Sequence, residues 1–112
     1  MKTPVLGRKL VLEGAARVAD GAGGFVETWA ALGVHWAEVR PGRGRVAEGA
    51  GVVLSQVPWR ITVRAARPGS LARPVAGQRF REGPRIFRIL AVADADLGGR
   101  YLTCEADEET AA

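Results

Sequence analysis

Glycine and proline punctuate this chain so often that no long uninterrupted element fits between them. Gly21 to Gly24, Pro41 to Gly44, Gly49 to Gly51, Pro68-Gly69, Gly83-Pro84 and Gly98-Gly99 mark the breaks. Between them lie short runs rich in Val, Ile, Leu, Phe and Trp, the pattern of an antiparallel sandwich or barrel. Residues 9–18 read as a first strand, in which Leu10 and Leu12 alternate with polar or small neighbours. The run Asp20-Gly21-Ala22-Gly23-Gly24 supplies a tight reversal, because glycine reaches positive φ at little cost. Residues 25–39 form a long second strand, with a kink or bulge at Leu32-Gly33. Arg60, Thr62 and Arg64 alternate with Ile61 and Val63 in a strand over 59–66, which argues for one wet and one buried face. Residues 78–81, 85–92 and 100–104 complete about six strands in a meander that curls into a small all-β barrel.

The segment 41–58 is the least strand-like. Glycines recur through it, and the expectation is an irregular loop with at most one helical turn near Val46-Ala47-Glu48. The barrel domain is expected over residues 1–106, and 107–112 as a frayed acidic tail.

A chain of 112 residues fits one domain. No stretch is long and apolar enough to span a bilayer, and the N-terminus lacks the apolar core of a signal peptide, so no membrane role and a cytoplasmic site of synthesis are expected. The one cysteine, Cys104, has no partner within the chain, and with His35 as the only histidine a zinc site is short of ligands. No cofactor is expected. Nor does any nucleophile–base constellation appear, and the Gly42-Arg43-Gly44-Arg45 segment lacks the Lys-Ser/Thr ending of a P-loop. The chain therefore reads as a non-enzyme.

Its charge is uneven. Net charge is +4, yet residues 105–109 carry four acidic side chains, and without them 16 basic residues face 8 acidic ones. Such a field favours a polyanion or an acidic protein face, and a solvated Arg-rich surface explains it equally well.

Specific words then carry more than periodicity. Gly23-Gly24-Phe25-Val26-Glu27-Thr28-Trp29, followed by Val34-His35-Trp36-Ala37-Glu38-Val39-Arg40-Pro41, resembles the paired-tryptophan strand of the phage head–tail joining family. Arg60-Ile61-Thr62-Val63-Arg64, Gln78-Arg79-Phe80, Arg85-Ile86-Phe87-Arg88-Ile89 and the closing Asp94-Ala95-Asp96 with Arg100 to Glu105 are similar to its later strands, in family order over roughly residues 7–106. The segment 41–58 departs from any pattern that aligns. The resemblance implies a small β-barrel subunit of a homo-oligomeric ring, sixfold or twelvefold, at the head–tail junction of a virion. Its implied partners are a portal or adaptor protein, a tail terminator or tail-tube protein, and non-specific double-stranded DNA in the channel. Head closure, the stopper role, is favoured over the adaptor role. The Arg-, Ala- and Gly-rich composition is compatible with a gene transfer agent, a domesticated phage particle.

Several residues stand out within that frame. Trp29 and Trp36 are seven residues apart, and with a bulge between them they face one side of the strand, expected to be the core together with Ile61, Val63, Ile86 and Ile89. Trp59, after the irregular loop, is an interface candidate. Arg60 and Arg64 are expected on wet faces, where Glu27, Glu38 or Glu82 of a neighbouring subunit would pair with them. Arg43 and Arg45 are candidates for a loop reaching into the DNA channel, in which contact is sequence-independent and weakened by salt. Asp94 and Asp96 are turn carboxylates that cap backbone N–H groups. The rival reading is a stand-alone basic β-barrel that binds nucleic acid like an OB or SH3-like module. It suffers from a shortage of aromatics on a basic face.

Overall fold

The computed structural model describes residues 2–42, 45–49, 52–56 and 58–109. Eight strands follow in chain order: β1 (Arg8–Ala19), β2 (Phe25–Pro41), β3 (Arg45–Gly49), β4 (Val52–Gln56), β5 (Pro58–Arg64), β6 (Arg79–Glu82), β7 (Arg85–Asp94) and β8 (Tyr101–Glu109). Six of them close into an antiparallel barrel in the order β1-β2-β5-β8-β7-β6, with β6 returning to β1. This is the small closed sheet that the alternating short runs predict.

The core follows from strand alternation. Leu10 and Leu12 of β1, Ala37 of β2, Ile61 and Val63 of β5, Phe80 of β6, Phe87 and Ile89 of β7, and Leu102, Cys104 and Ala106 of β8 form one buried cluster. Inward side chains from six strands fill this narrow barrel.

Two two-stranded arms extend beyond the barrel. β1 meets β6 only through Val11 to Glu13, and β2 meets β5 only from Ala37 onward. Residues 14–31 therefore pair only with one another, and they project roughly 20 Å at the usual rise per residue. The second arm is the β3–β4 hairpin, entered and left where the Gly42 N–H donates to the Pro58 carbonyl at 2.6 Å. Because β2 runs from the first arm to the second, the arms leave opposite ends of the barrel. They account for a radius of gyration of 15.5 Å, against about 13 Å for a compact chain of this length.

Four expectations need correction. The segment 41–58 is not an irregular loop, since residues 45–49 and 52–56 pair as β3 and β4, and Val46, Val52 and Val53 are β-branched residues that favour strands. The first three residues of the expected tail, 107–109, do not fray but belong to β8. It runs to Glu109 because β7 is long enough to pair with it through Ile86↔Glu109. Trp36 is not in the core, being 55% exposed, and Trp29 is only partly buried. The bulge lies where expected: Leu12 pairs with Gly33 and Glu13 with Ala31, which leaves Leu32 as the extra residue. It does bring the two tryptophans to one face, but Leu10 and Leu12 point the opposite face inward and leave the tryptophans outside. Ile86 likewise sits half-buried on the outer face, beside its partner Arg81, because Phe87 and Ile89 take the inward positions.

Candidate functional site

Among the described residues, the charged and aromatic side chains outside the core gather on the outer surface of the barrel and on the first arm. Among the described residues, no group of three or more His, Cys, Asp or Glu is placed to hold a metal. The Cys104 thiol is buried, and that burial pushes its pKa up to about 12, so it is no nucleophile at neutral pH.

The base of the first arm is braced from outside. Glu13, 7% exposed, accepts from Arg79 Nε at 2.7 Å and from Arg81 Nε at 2.9 Å. Burial alone would push the Glu13 carboxyl up, but the hydrogen bonds from Arg81 and Arg79 outweigh it and hold the group below the ordinary carboxylate range. The Arg79 guanidinium also lies 4.0 Å over the Trp29 ring, with Arg88 on the same ring at 5.8 Å. Glu27 completes the brace through Arg88 at 3.8 Å. These contacts gather on one face because Glu13, Ala15, Arg17 and Ala19 pair directly with Ala31, Trp29, Glu27 and Phe25.

The other face of the same arm pairs Gly14 with Ala30, Ala16 with Thr28 and Val18 with Val26. It carries no charge. Val18 and Val26 are about half exposed on it. Sequence reading missed this face, although its signal is present: residues 14, 16, 18, 26, 28 and 30 are all uncharged.

The opposite end of the barrel, from which the second arm leaves, carries an ion-paired rim. Arg85 grips Glu108 with two bonds, Nε at 2.8 Å and Nη2 at 3.1 Å, and Arg8 Nε donates to Glu82 at 2.9 Å. The Arg85 bond holds the Glu108 carboxyl below its ordinary range, and the Arg8 bond does the same for Glu82. Trp59 packs edge-on against Phe87 at 6.0 Å with Arg85 over its ring, so it is half-buried within the subunit.

Several carboxylates reserved for a neighbouring subunit are therefore already paired within the chain. Glu38 pairs with Arg40 at 3.1 Å and accepts the Val5 N–H, Glu82 holds Arg8, and Glu27 faces Arg88. Arg60 pairs with its cross-strand partner Glu105 at 3.2 Å. Arg64 is exposed, and no ion pair holds it among the described residues. Arg43 lies outside the described residues, and of Arg45 only its place at the start of β3 is described. Asp96 caps its turn, accepting the N–H groups of Arg100 at 2.9 Å and Tyr101 at 3.1 Å.

Near the first arm's end of the barrel, a cleft of about 260 Å³ is lined by Val34, His35, Trp36, Arg64, Ala66 and Ala72. The His35 ring meets Phe80 edge-on at 5.9 Å, its Nε2 is buried without a hydrogen-bond partner among the described residues, and burial pushes its pKa down. The ring is accordingly neutral at physiological pH.

Comparison with known proteins agrees with this geometry. The family described as "Phage head completion protein" matches residues 1–109. A chain in a solved structure described as "Virion of native gene transfer agent (GTA) particle" is 56% identical, with a TM-score of 0.81, over 98% of this chain and 100% of that one. Among curated proteins no match is found.

Proposed function

The chain belongs to the phage head completion protein family, and on that premise we propose that it forms a ring of identical subunits at the head–tail junction of a phage-like particle, where it closes the head. The role is structural and non-enzymatic. The similar chain in a gene transfer agent virion supports placement in a particle of that kind. The observation that carries the reading is the pair of arms leaving opposite ends of a barrel whose interior is packed solid. Such a body offers two extensions with which to reach other proteins.

Within the ring, the barrel supplies a rigid wall, and its rim offers docking faces to a portal or adaptor protein on one side and a tail protein on the other. The stopper role is favoured over the adaptor role because the β3–β4 arm is an extension able to reach across a channel. Arg43, which precedes β3 in the sequence, and Arg45, which opens it, are assigned to non-specific contact with the phosphate backbone of double-stranded DNA. Passage of DNA requires that this grip be weak.

The test replaces Arg43→Glu and Arg45→Glu together. The purified variant keeps its β-rich circular dichroism, while particles built with it lose packaged DNA or fail to deliver it. Full particle activity overturns the channel assignment. Binding of random duplex DNA by the purified wild-type chain tighter than about 1 µM at physiological salt, with no partner present, overturns the connector reading in favour of a stand-alone nucleic-acid binder.

A further inference from the structure

We infer that the fork between β2 and the chain that follows β5 is a docking cleft for a partner protein, one whose docking segment sets carboxylates beside an apolar side chain. The contact goes beyond the ring reading and holds for a free subunit as well.

Ala37↔Val63 is the last pair between β2 and β5. From there β2 runs on into the first arm, while the chain after Arg64 turns away as the connector to β6. The cleft of Val34, His35, Trp36, Arg64 and Ala72 opens in that fork. A second cleft, of about 550 Å³, adjoins it across Ala65 and Ala66 and takes Arg67, Arg73 and Asp94 into its wall.

This corner of the barrel is set apart by unanswered positive charge. Among the described residues, eight arginines are ion-paired within the chain. Of the other four, Arg17 stacks over Phe25 at 4.7 Å on the first arm. The remaining three are Arg64, Arg67 and Arg73, all at the two clefts, whose described lining residues include one carboxylate, Asp94. Lys9, exposed on β1 beside Trp36, adds a further cation without an ion pair among the described residues. Arg73 is steadied by donating Nη1 to the Ala66 carbonyl at 3.0 Å. Cations left free around a concave site are what carboxylates of a partner neutralise, and such complementarity selects the partner.

The apolar surface at the same place favours protein over nucleic acid. Val34 and Trp36 are about half exposed on one wall, and Leu71, 72% exposed, precedes Ala72 of the other. Aromatic and arginine side chains together make the centres of protein interfaces, whereas duplex DNA is met by more polar and more uniformly basic surfaces.

The experiment titrates the isotope-labelled full chain with an end-capped peptide, a leucine between two glutamates on either side, and follows amide shifts up to about 1 mM peptide. Shifts confined to residues 34–36, 64–67 and 72–73 are expected, and none from the glutamine counterpart of the peptide. Arg64→Glu with Arg67→Glu is expected to leave the rest of the spectrum in place and to weaken binding about tenfold or more. Trp36→Ala, which keeps every cation, is expected to weaken it several-fold. No response, a response elsewhere on the barrel, equal binding of the glutamine peptide, or undiminished binding by either variant overturns the proposal. A short random duplex that shifts the same residues at lower concentration than the peptide overturns it in favour of a nucleic-acid contact.

Discussion

Arg79 links the first arm to the barrel through Trp29: its guanidinium carbon lies 4.0 Å from the centroid of the indole ring while its Nε donates to the nearly buried Glu13. One cation thus serves two anchors on different strands. The arrangement fixes the direction of an arm that otherwise has few tertiary contacts.

Removing the charge at the centre of this brace leaves two arginines facing a neutral amide. Glu13→Gln is expected to cost about 2 kcal/mol, between the small value of exposed ion pairs and the larger one of fully buried pairs. Trp29→Ala removes only the stacked ring and should cost less, about 1 kcal/mol. Urea titration of both variants checks the order, and a neutral Glu13→Gln would show that the brace contributes nothing to folding.

The positions of the aromatics predict a sharp contrast. Phe80→Ala and Phe87→Ala each empty a fully buried site and should cost about 3–5 kcal/mol. Trp36→Ala, on the exposed face, should change stability by less than about 0.5 kcal/mol despite deleting the larger side chain. Equal losses at the three sites would contradict the outward placement of Trp36.

Acid should weaken the fold in two stages. His35 titrates lower in the folded chain than its ordinary value of 6.5, so below pH 6.5 the unfolded chain takes up protons first and stability falls with pH. Glu13, Glu82 and Glu108 are held below the ordinary 4.5, so their contribution is present above that pH and is lost as pH drops below it. His35→Asn should remove the first stage and leave the second. Thermal melts across pH 7 to 3 distinguish the two, and an unaltered upper stage in the variant would exclude His35 as its cause.

The Cys104 thiol, with its pKa raised to about 12 by burial, should resist an aromatic disulfide reagent at pH 8 in the native chain. It should react at once in denaturant. Rapid native labelling would mean that β8 opens readily from the barrel.

Much of the fold was legible in the residues. Alternation at Leu10 and Leu12, at Ile61 and Val63, and the glycine turns placed six barrel strands within a residue or two of their ends, except where β8 continues to Glu109. The bulge at Leu32 was legible too, because two alternating halves of one strand disagreed in phase. The hairpin between Arg45 and Gln56 was not, although Val52 and Val53 carry a local strand signal, because Gly49 and Gly51 weigh against it in the sequence and only the pairing of β3 with β4 decides it. The interface candidates Glu27, Glu38 and Arg60 were found as charges on wet faces, but sequence gave no sign that partners within the chain already hold them.

Local patterning alone thus determined which residues share a face, because side-chain alternation is a property of the extended backbone itself. Which of the two faces turns inward was decided only by closure of the barrel. Trp29 and Trp36 could be placed together from their spacing. That they stand outside depends on Leu10, Leu12 and Phe80 claiming the interior, and that choice belongs to strands far apart in the chain.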